Sequence, residues 1–316
     1  MRKVLLPTLA VVLLIASNGD AYENCNGIGY FALQVPNSGS MNPDGNKGDW
    51  AWFDPEFIIG PDQMCNTLGG GMPTLDDFDI AVHFGWAPEP DNRFYAFVTV
   101  TDDTLNLDNT NVDDFWNDDD LELIVDANHG NWAEANNAIR VDHQQLGFHI
   151  PGEGRPEAVT SVRFQQPPEM QWPVTEGTIE AAVNVSPSPT HGATNTTSNY
   201  EIRMVLYDQL QPGGAGASSV HTLAAGETIG MSVTYNDADC CDRTHQISTH
   251  VNEAGAHESE FTAEVTMLSS GEFATAVQAG DDGECPVAGG RATADVAHLG
   301  GEVLVEGGVA RFRRQI

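Results

Sequence analysis

The chain has 316 residues, with 46 acidic against 13 basic side chains and a formal net charge of -33 at pH 7. Such a surface repels nucleic acid and anionic membranes, and it suits calcium, a salty medium, or both. The length fits one large all-β domain with flanking extensions, or at most two small domains.

Arg2 and Lys3 precede an apolar run over 4–16, and small residues follow at Ser17, Gly19 and Ala21. This predicts a secretory signal peptide over residues 1–21, with a run too short to span a bilayer. A secreted or periplasmic protein without membrane insertion is expected. Residues 22–39 read as an N-terminal extension rich in Gly, Asn and Pro. Trp50, Trp52 and Phe53 then read as aromatics that pack the start of a β domain. Residues 61–78, containing Gly-Gly-Gly-Met-Pro, are expected to be a loop.

Residues 79–86 alternate Ile80, Val82, Phe84 and Trp86 against Ala81, His83 and Gly85, the pattern of a half-buried strand with His83 outward. A turn at 88–92 and a partner strand at 94–101 follow. Further strands are expected at 139–150, 158–164, 178–185, 200–207, 228–235, 261–267 and 273–277, with loops at 127–139 and 186–198. Short strands at regular spacing indicate a sandwich or barrel. In the tail, 280–316, residues 302–309 read as a short strand or hairpin, followed by Arg311, Arg313 and Arg314.

The cysteines that remain after export are expected to be oxidised. The candidate pairings are Cys25 with Cys285, and Cys65 with Cys240 or Cys241, and the odd count leaves one thiol or a vicinal pair.

The stretch 102–126 organises the rest. It joins the end of one strand to the strand 121–125 through an Asp/Asn-rich loop carrying Trp116. Leu121, Leu123 and Val125 share one face and Glu122 the other, because strand side chains alternate. An aromatic plate near a carboxylate acceptor is what a pyranose ring requires. Acidic residues crowd this loop and a second one near 237–242. Like charges this dense call for a cation, and Asp and Asn oxygens suit calcium. A structural calcium ion is expected, with Asp102, Asp119, Asp126, Asp237 and Asp239 as candidate ligands.

Several segments in order resemble the family 9 carbohydrate-binding module, within the wider DOMON-like group. They are Asp44-Gly45, Asp49-Trp50, Val100-Thr101-Asp102, Leu105 to Asn111, Trp116-Asp119-Glu122, Asp126, Asp142 to Gln145, Tyr200 to Arg203, and Gly226 to Asp237. The resemblance covers 40–279 and implies an all-β, jelly-roll-type sandwich of antiparallel strands that accompanies polysaccharide breakdown. It implies that Trp116 stacks on a sugar and that Glu122 accepts hydrogen bonds from its hydroxyls, with Gln145 and His149 nearby. The sequence departs from the family where a second clamping tryptophan is expected. Residues 244–260 offer only His245, His250 and His257 as ring side chains, and Gly147 stands in place of an arginine. Trp132 or Trp172 could supply the missing plate.

The resulting expectation is a non-catalytic binder of a polysaccharide or oligosaccharide. Two other classes compete with it: a calcium-stiffened adhesive protein that has lost its sugar site, and a haem or redox domain using histidine or methionine ligands. A glycosidase would need a placed carboxylate pair, and no catalytic module stands out.

Overall fold

The computed structural model describes residues 25, 27, 29–109, 116–129, 142–150, 172–239, 243–251 and 262–272, together with the backbone of 301–306 and 309–314. The expected strands 158–164 and 273–277, Trp132, Cys240, Cys241, Cys285 and the signal segment lie outside these residues.

Eleven strands form one hydrogen-bonded system that folds into two facing layers. One layer follows the order β1 (Tyr30–Gln34), β3 (Phe78–Ala87), β4 (Arg93–Thr104), β8 (Thr194–Met204), β7 (Ile179–Ser186). The other runs β6 (Gln144–Phe148), β5 (Asp120–Asp126), β11 (Thr228–Asp237), β12 (His245–Ser248), β2 (Cys65–Asn66). Strand β13 (Glu264–Leu268) bonds to both β11 and β1 and so joins the layers. The apolar alternation dictates how they face. Ile80, Val82 and Phe84 of β3 and Ile202 of β8 meet Leu121, Leu123 and Val125 of β5 and Met231 and Val233 of β11 in one core. Burying these side chains provides the main stabilisation, about 1.5–3 kcal/mol for each large one.

The sandwich is not wholly antiparallel: β1 runs parallel to both β13 and β3. The segment read as an extension thus supplies a central strand. His83 is a second correction, being 1% exposed rather than on the surface. The outer face of β3 and β4 is covered by a second cluster containing Phe31, Leu33, Trp50, Phe53, Phe57 and Phe97. His83 lies among Trp50, Phe53 and Phe97, and its Nδ1 is 3.2 Å from the Phe97 carbonyl oxygen. Strand β8 begins at Thr194, inside the stretch expected to be a loop. Its Thr196 and Ser198 are buried against β4, where β-branched and small hydroxyl side chains fit the pleat.

Three separated motifs meet at one carboxylate. The Glu201 side chain on β8 accepts the Trp50 indole N–H at 3.0 Å and the backbone N–H groups of Asp44 and Gly45 at 2.9 and 3.1 Å. Gly45 sits at φ 75°, and a Cβ there would lie 2.9 Å from Asn184 Cβ, so the close approach requires glycine.

Cys25 and Cys65 form a disulfide with Cα atoms 5.6 Å apart, which corrects both expected pairings for these residues. It ties the chain before β1 to β2. Chain separation gave no guide, because β2 is added at the edge beside β12. Strands β9 (Tyr207–Gln209) and β10 (Ser219–Val220) pair separately, and β14 (Gly301–Glu306) and β15 (Val309–Arg314) form the tail hairpin. No described helix is long and apolar enough to cross a membrane.

Candidate functional site

The face of β6, β5, β11 and β12 that points away from the core is polar. Strand alternation that sends Leu121, Leu123, Tyr235 and Phe148 inward sends Glu122, Asn236, Gln145 and Gln246 to this face. Glu122 is 1% exposed, and its carboxylate is gripped by two amides. Asn236 Nδ2 donates to Oε1 at 2.6 Å, and Gln145 Nε2 donates to Oε2. The Asn236 carbonyl oxygen in turn accepts from Gln246 Nε2 and Arg243 Nη1, each at 3.1 Å. Burial pushes the Glu122 carboxyl up, while the Gln145 and Asn236 amides and the Arg243 charge oppose that rise. Gln145 Oε1 is buried and has no hydrogen-bond partner among the described residues.

Beyond the end of β6, His149 places Nδ1 2.9 Å from Asp120 Oδ2. Gly147 lies opposite Glu122 on β6. Trp116 is half-buried in the short turn that leads into β5. Trp172, at the start of α1 (Trp172–Thr175), serves packing: its ring meets Tyr207 edge-on at 5.8 Å, and its N–H donates to the Gln211 carbonyl at 3.0 Å. It lies toward the Asp126 end of β5, since Gln144, paired with Val125, bonds to the Tyr207 carbonyl.

A cluster of carboxylates sits at the Asp120 end of the sandwich. Asp102, Asp237 and Asp239 bring one oxygen each within 4.8 Å of one another. Asp77 joins Asp103 and Asp239 in a second group, and Asp237 and His245 in a third. Asp102 is 2% exposed. Its Oδ1 accepts from Thr104 N at 2.9 Å, and its Oδ2 has no donor among the described residues. Burial, above all, pushes Asp102 up to about 7, with the carboxylates of Asp237 and Asp239 adding to it. Asp237 rises to about 6, again mainly by burial, with Asp239 adding. Two unit charges at such a spacing repel by about 3 kcal/mol at an effective dielectric constant near 20. The all-oxygen groups fit a hard divalent cation, which would relieve that repulsion.

Of the expected ligands, Asp102, Asp237 and Asp239 are therefore brought together. Asp119 is adjacent but committed: its two oxygens accept the backbone N–H groups of Ala238 at 2.8 Å and Asn106 at 2.5 Å, which fasten two loops beside the cluster. Asp126 ends β5 six residues beyond Asp120, about 20 Å away. Burial pushes it up to about 7, with the Asp142 carboxylate contributing.

Sequence reading missed Asn236, Gln246 and Arg243 on the polar face, and did not select Asp77, Asp103 or His245 as members of the cluster. Alternation through Ser232, Thr234 and Asn236 was the available signal for the first set. The second set depends on register, because Asp77 precedes β3 and lies beside Asp103 only once β3 and β4 pair.

The family model described as carbohydrate family 9 binding domain-like matches residues 89–261. Among solved structures, a family 9 carbohydrate binding module from Caldicellulosiruptor kristjanssonii in complex with cellotriose is similar, with a TM-score of 0.48 and 14% identity, covering 76% of this chain and 94% of that one. A structure of a family 9 module from the same organism in complex with glucose has a TM-score of 0.47 and 14% identity, covering 76% of this chain and 95% of that one. No curated protein matches the sequence. The matched span takes in more than half of the chain, from the β3–β4 turn through β12, and the chain belongs to the carbohydrate family 9 binding domain-like family.

Proposed function

We propose that this chain is a non-catalytic carbohydrate-binding module, exported by its N-terminal segment and associated with polysaccharide breakdown. The observation that carries the reading is the held carboxylate of Glu122. It is pinned by Asn236 and Gln145 on a polar face, with the buried Gln145 side-chain oxygen beside it lacking a donor among the described residues. Buried polar atoms are normally satisfied, so an acceptor without a donor beside a fixed carboxylate suits the donors of a sugar hydroxyl pair. Trp116 supplies the stacking surface at the Asp120 end. A second plate and a charged donor are not provided by the residues in the usual family positions, which favours modest affinity.

A calcium ion at Asp102, Asp237 and Asp239, with Asp77 and Asp103, would be structural in this reading. It would supply charge neutralisation and tie the end of β4 to the end of β11.

The test is calorimetric titration of cello- and xylo-oligosaccharides into the wild type and Gln145→Ala, with melting curves of both. The reading expects binding by the wild type and at least a tenfold loss in the variant, which melts lower because Glu122 loses a donor but stays folded at the titration temperature. Equal binding by both would remove Gln145 from the site, and no binding by either would overturn the proposal.

A further inference from the structure

The acidic cluster and the sugar face share a single strand end, and we propose that divalent-cation binding at the cluster controls the affinity of the sugar face through Asn236. This deepens the proposed carbohydrate-binding reading and rests on it.

The connection is covalent and short. Asn236 and Asp237 are consecutive on β11, and their side chains leave the strand on opposite sides. Asp237 enters the carboxylate cluster with Asp102 and Asp239. Asn236 holds Glu122 through a 2.6 Å hydrogen bond. Strand β12 repeats the arrangement. His245 pairs with Asp237 and contacts its Oδ2 at 2.9 Å, while Gln246 pairs with Asn236 and donates to its amide oxygen. Each of two adjacent strands therefore presents one residue to the cluster and the next to the sugar face.

The cluster carries a feature besides its acidity that points to a ligand. Asp102 is almost completely buried, its Oδ2 has no donor among the described residues, and its carboxylate lies with those of Asp237 and Asp239. The Asp119 carboxyl is near enough to share a proton with it, which is the alternative to a cation. With a cation bound, the ends of β4 and β11 are drawn together and Asn236 keeps its register against Asp120 on β5. With the cation removed, repulsion among Asp102, Asp237 and Asp239 acts on the residue next to Asn236. The Glu122 carboxylate then loses its fixed orientation. Coupling of this kind needs a contiguous, physically linked element that both sites bias, and the β11–β12 end is that element.

The experiment uses the full chain, stripped with chelator and then titrated with calcium at constant ionic strength. Calcium binding is read by calorimetry, by the melting temperature and by terbium luminescence, independently of sugar. Oligosaccharide affinity is measured in both states. The proposal expects saturable calcium binding, a higher melting temperature, and at least tenfold weaker sugar binding without calcium. Asp239→Asn should weaken calcium binding at least tenfold and shift the calcium dependence of sugar binding with it. Asn236→Ala should still bind calcium but show weak sugar binding that no longer responds to it. Calcium bound with unchanged sugar affinity would overturn the coupling, and absent calcium binding with sugar retained would overturn the cation site. Calcium bound with no sugar binding at any calcium level would overturn the carbohydrate reading and the coupling together.

Discussion

Asn236 and Glu122 meet across β11 and β5 through a 2.6 Å hydrogen bond that fixes a buried carboxylate on the polar face. The two residues are not directly opposite, because Glu122 pairs with Thr234. The diagonal contact leaves the Asn236 carbonyl oxygen free to accept from Gln246 and Arg243. Replacing Asn236 by leucine would remove a hydrogen bond to a charged acceptor, worth about 1.5–3 kcal/mol. We expect sugar affinity to fall at least tenfold in titration calorimetry, with stability lowered in denaturant melts.

Glu201 organises the opposite layer. Its carboxylate is the shared acceptor for Trp50 and for the backbone of Asp44 and Gly45. Glu201→Ala leaves these donors unpaired beneath the outer aromatic cluster, at about 1–3 kcal/mol for each buried group. Urea unfolding should show a loss of roughly 3 kcal/mol or more.

Gly45→Ala tests the same junction through the backbone. The residue would occupy a left-handed φ of 75° with its Cβ 2.9 Å from Asn184 Cβ. A loss of about 1–3 kcal/mol is expected in the same assay.

The ring of His83 gives a pH signature. Burial, with a smaller contribution from Lys47, lowers its pKa from 6.5 to about 4. The native state therefore keeps the ring neutral while the unfolded chain binds a proton. This contribution to stability is present above about pH 6.5 and is lost as pH falls toward 4, amounting to about 3 kcal/mol. The wild type minus His83→Phe difference in unfolding free energy should change by that order between pH 7 and pH 4, and a flat difference would contradict it.

The Cys25–Cys65 disulfide closes a sequence separation of 40 residues. On chain entropy, Cys65→Ser should cost about 2–4 kcal/mol, seen as a lower melting temperature that reductant does not lower further.

Much of the sandwich was legible in the sequence because its strands alternate cleanly. Ile80 to Trp86 and Ile229 to Tyr235 announce one buried face each. What alternation hides is a second covering layer. His83 looked solvated because the residues that bury it, Trp50 and Phe53, come from about 30 positions earlier. Strand β1 was hidden for a related reason: a short parallel strand between β13 and β3 gains its partners from distant segments. At the site, Glu122 was legible from its place in the strand, but the amides that hold it were not. Asn236 and Gln145 reach it only through the β5–β11 and β5–β6 registers. The acidic cluster was half legible, as density of charge without the register that selects Asp77 and Asp103.

The central claim is that the polar face around Glu122, together with Trp116 in the turn before β5, binds carbohydrate. Its most direct test is depletion of the protein from solution by insoluble cellulose and xylan, with soluble oligosaccharide as competitor, for the wild type and Trp116→Ala. The account predicts that the wild type is retained and released by competitor, and that Trp116→Ala stays in solution while melting like the wild type. Wild type that stays in solution on every polysaccharide, with calcium present, would contradict it.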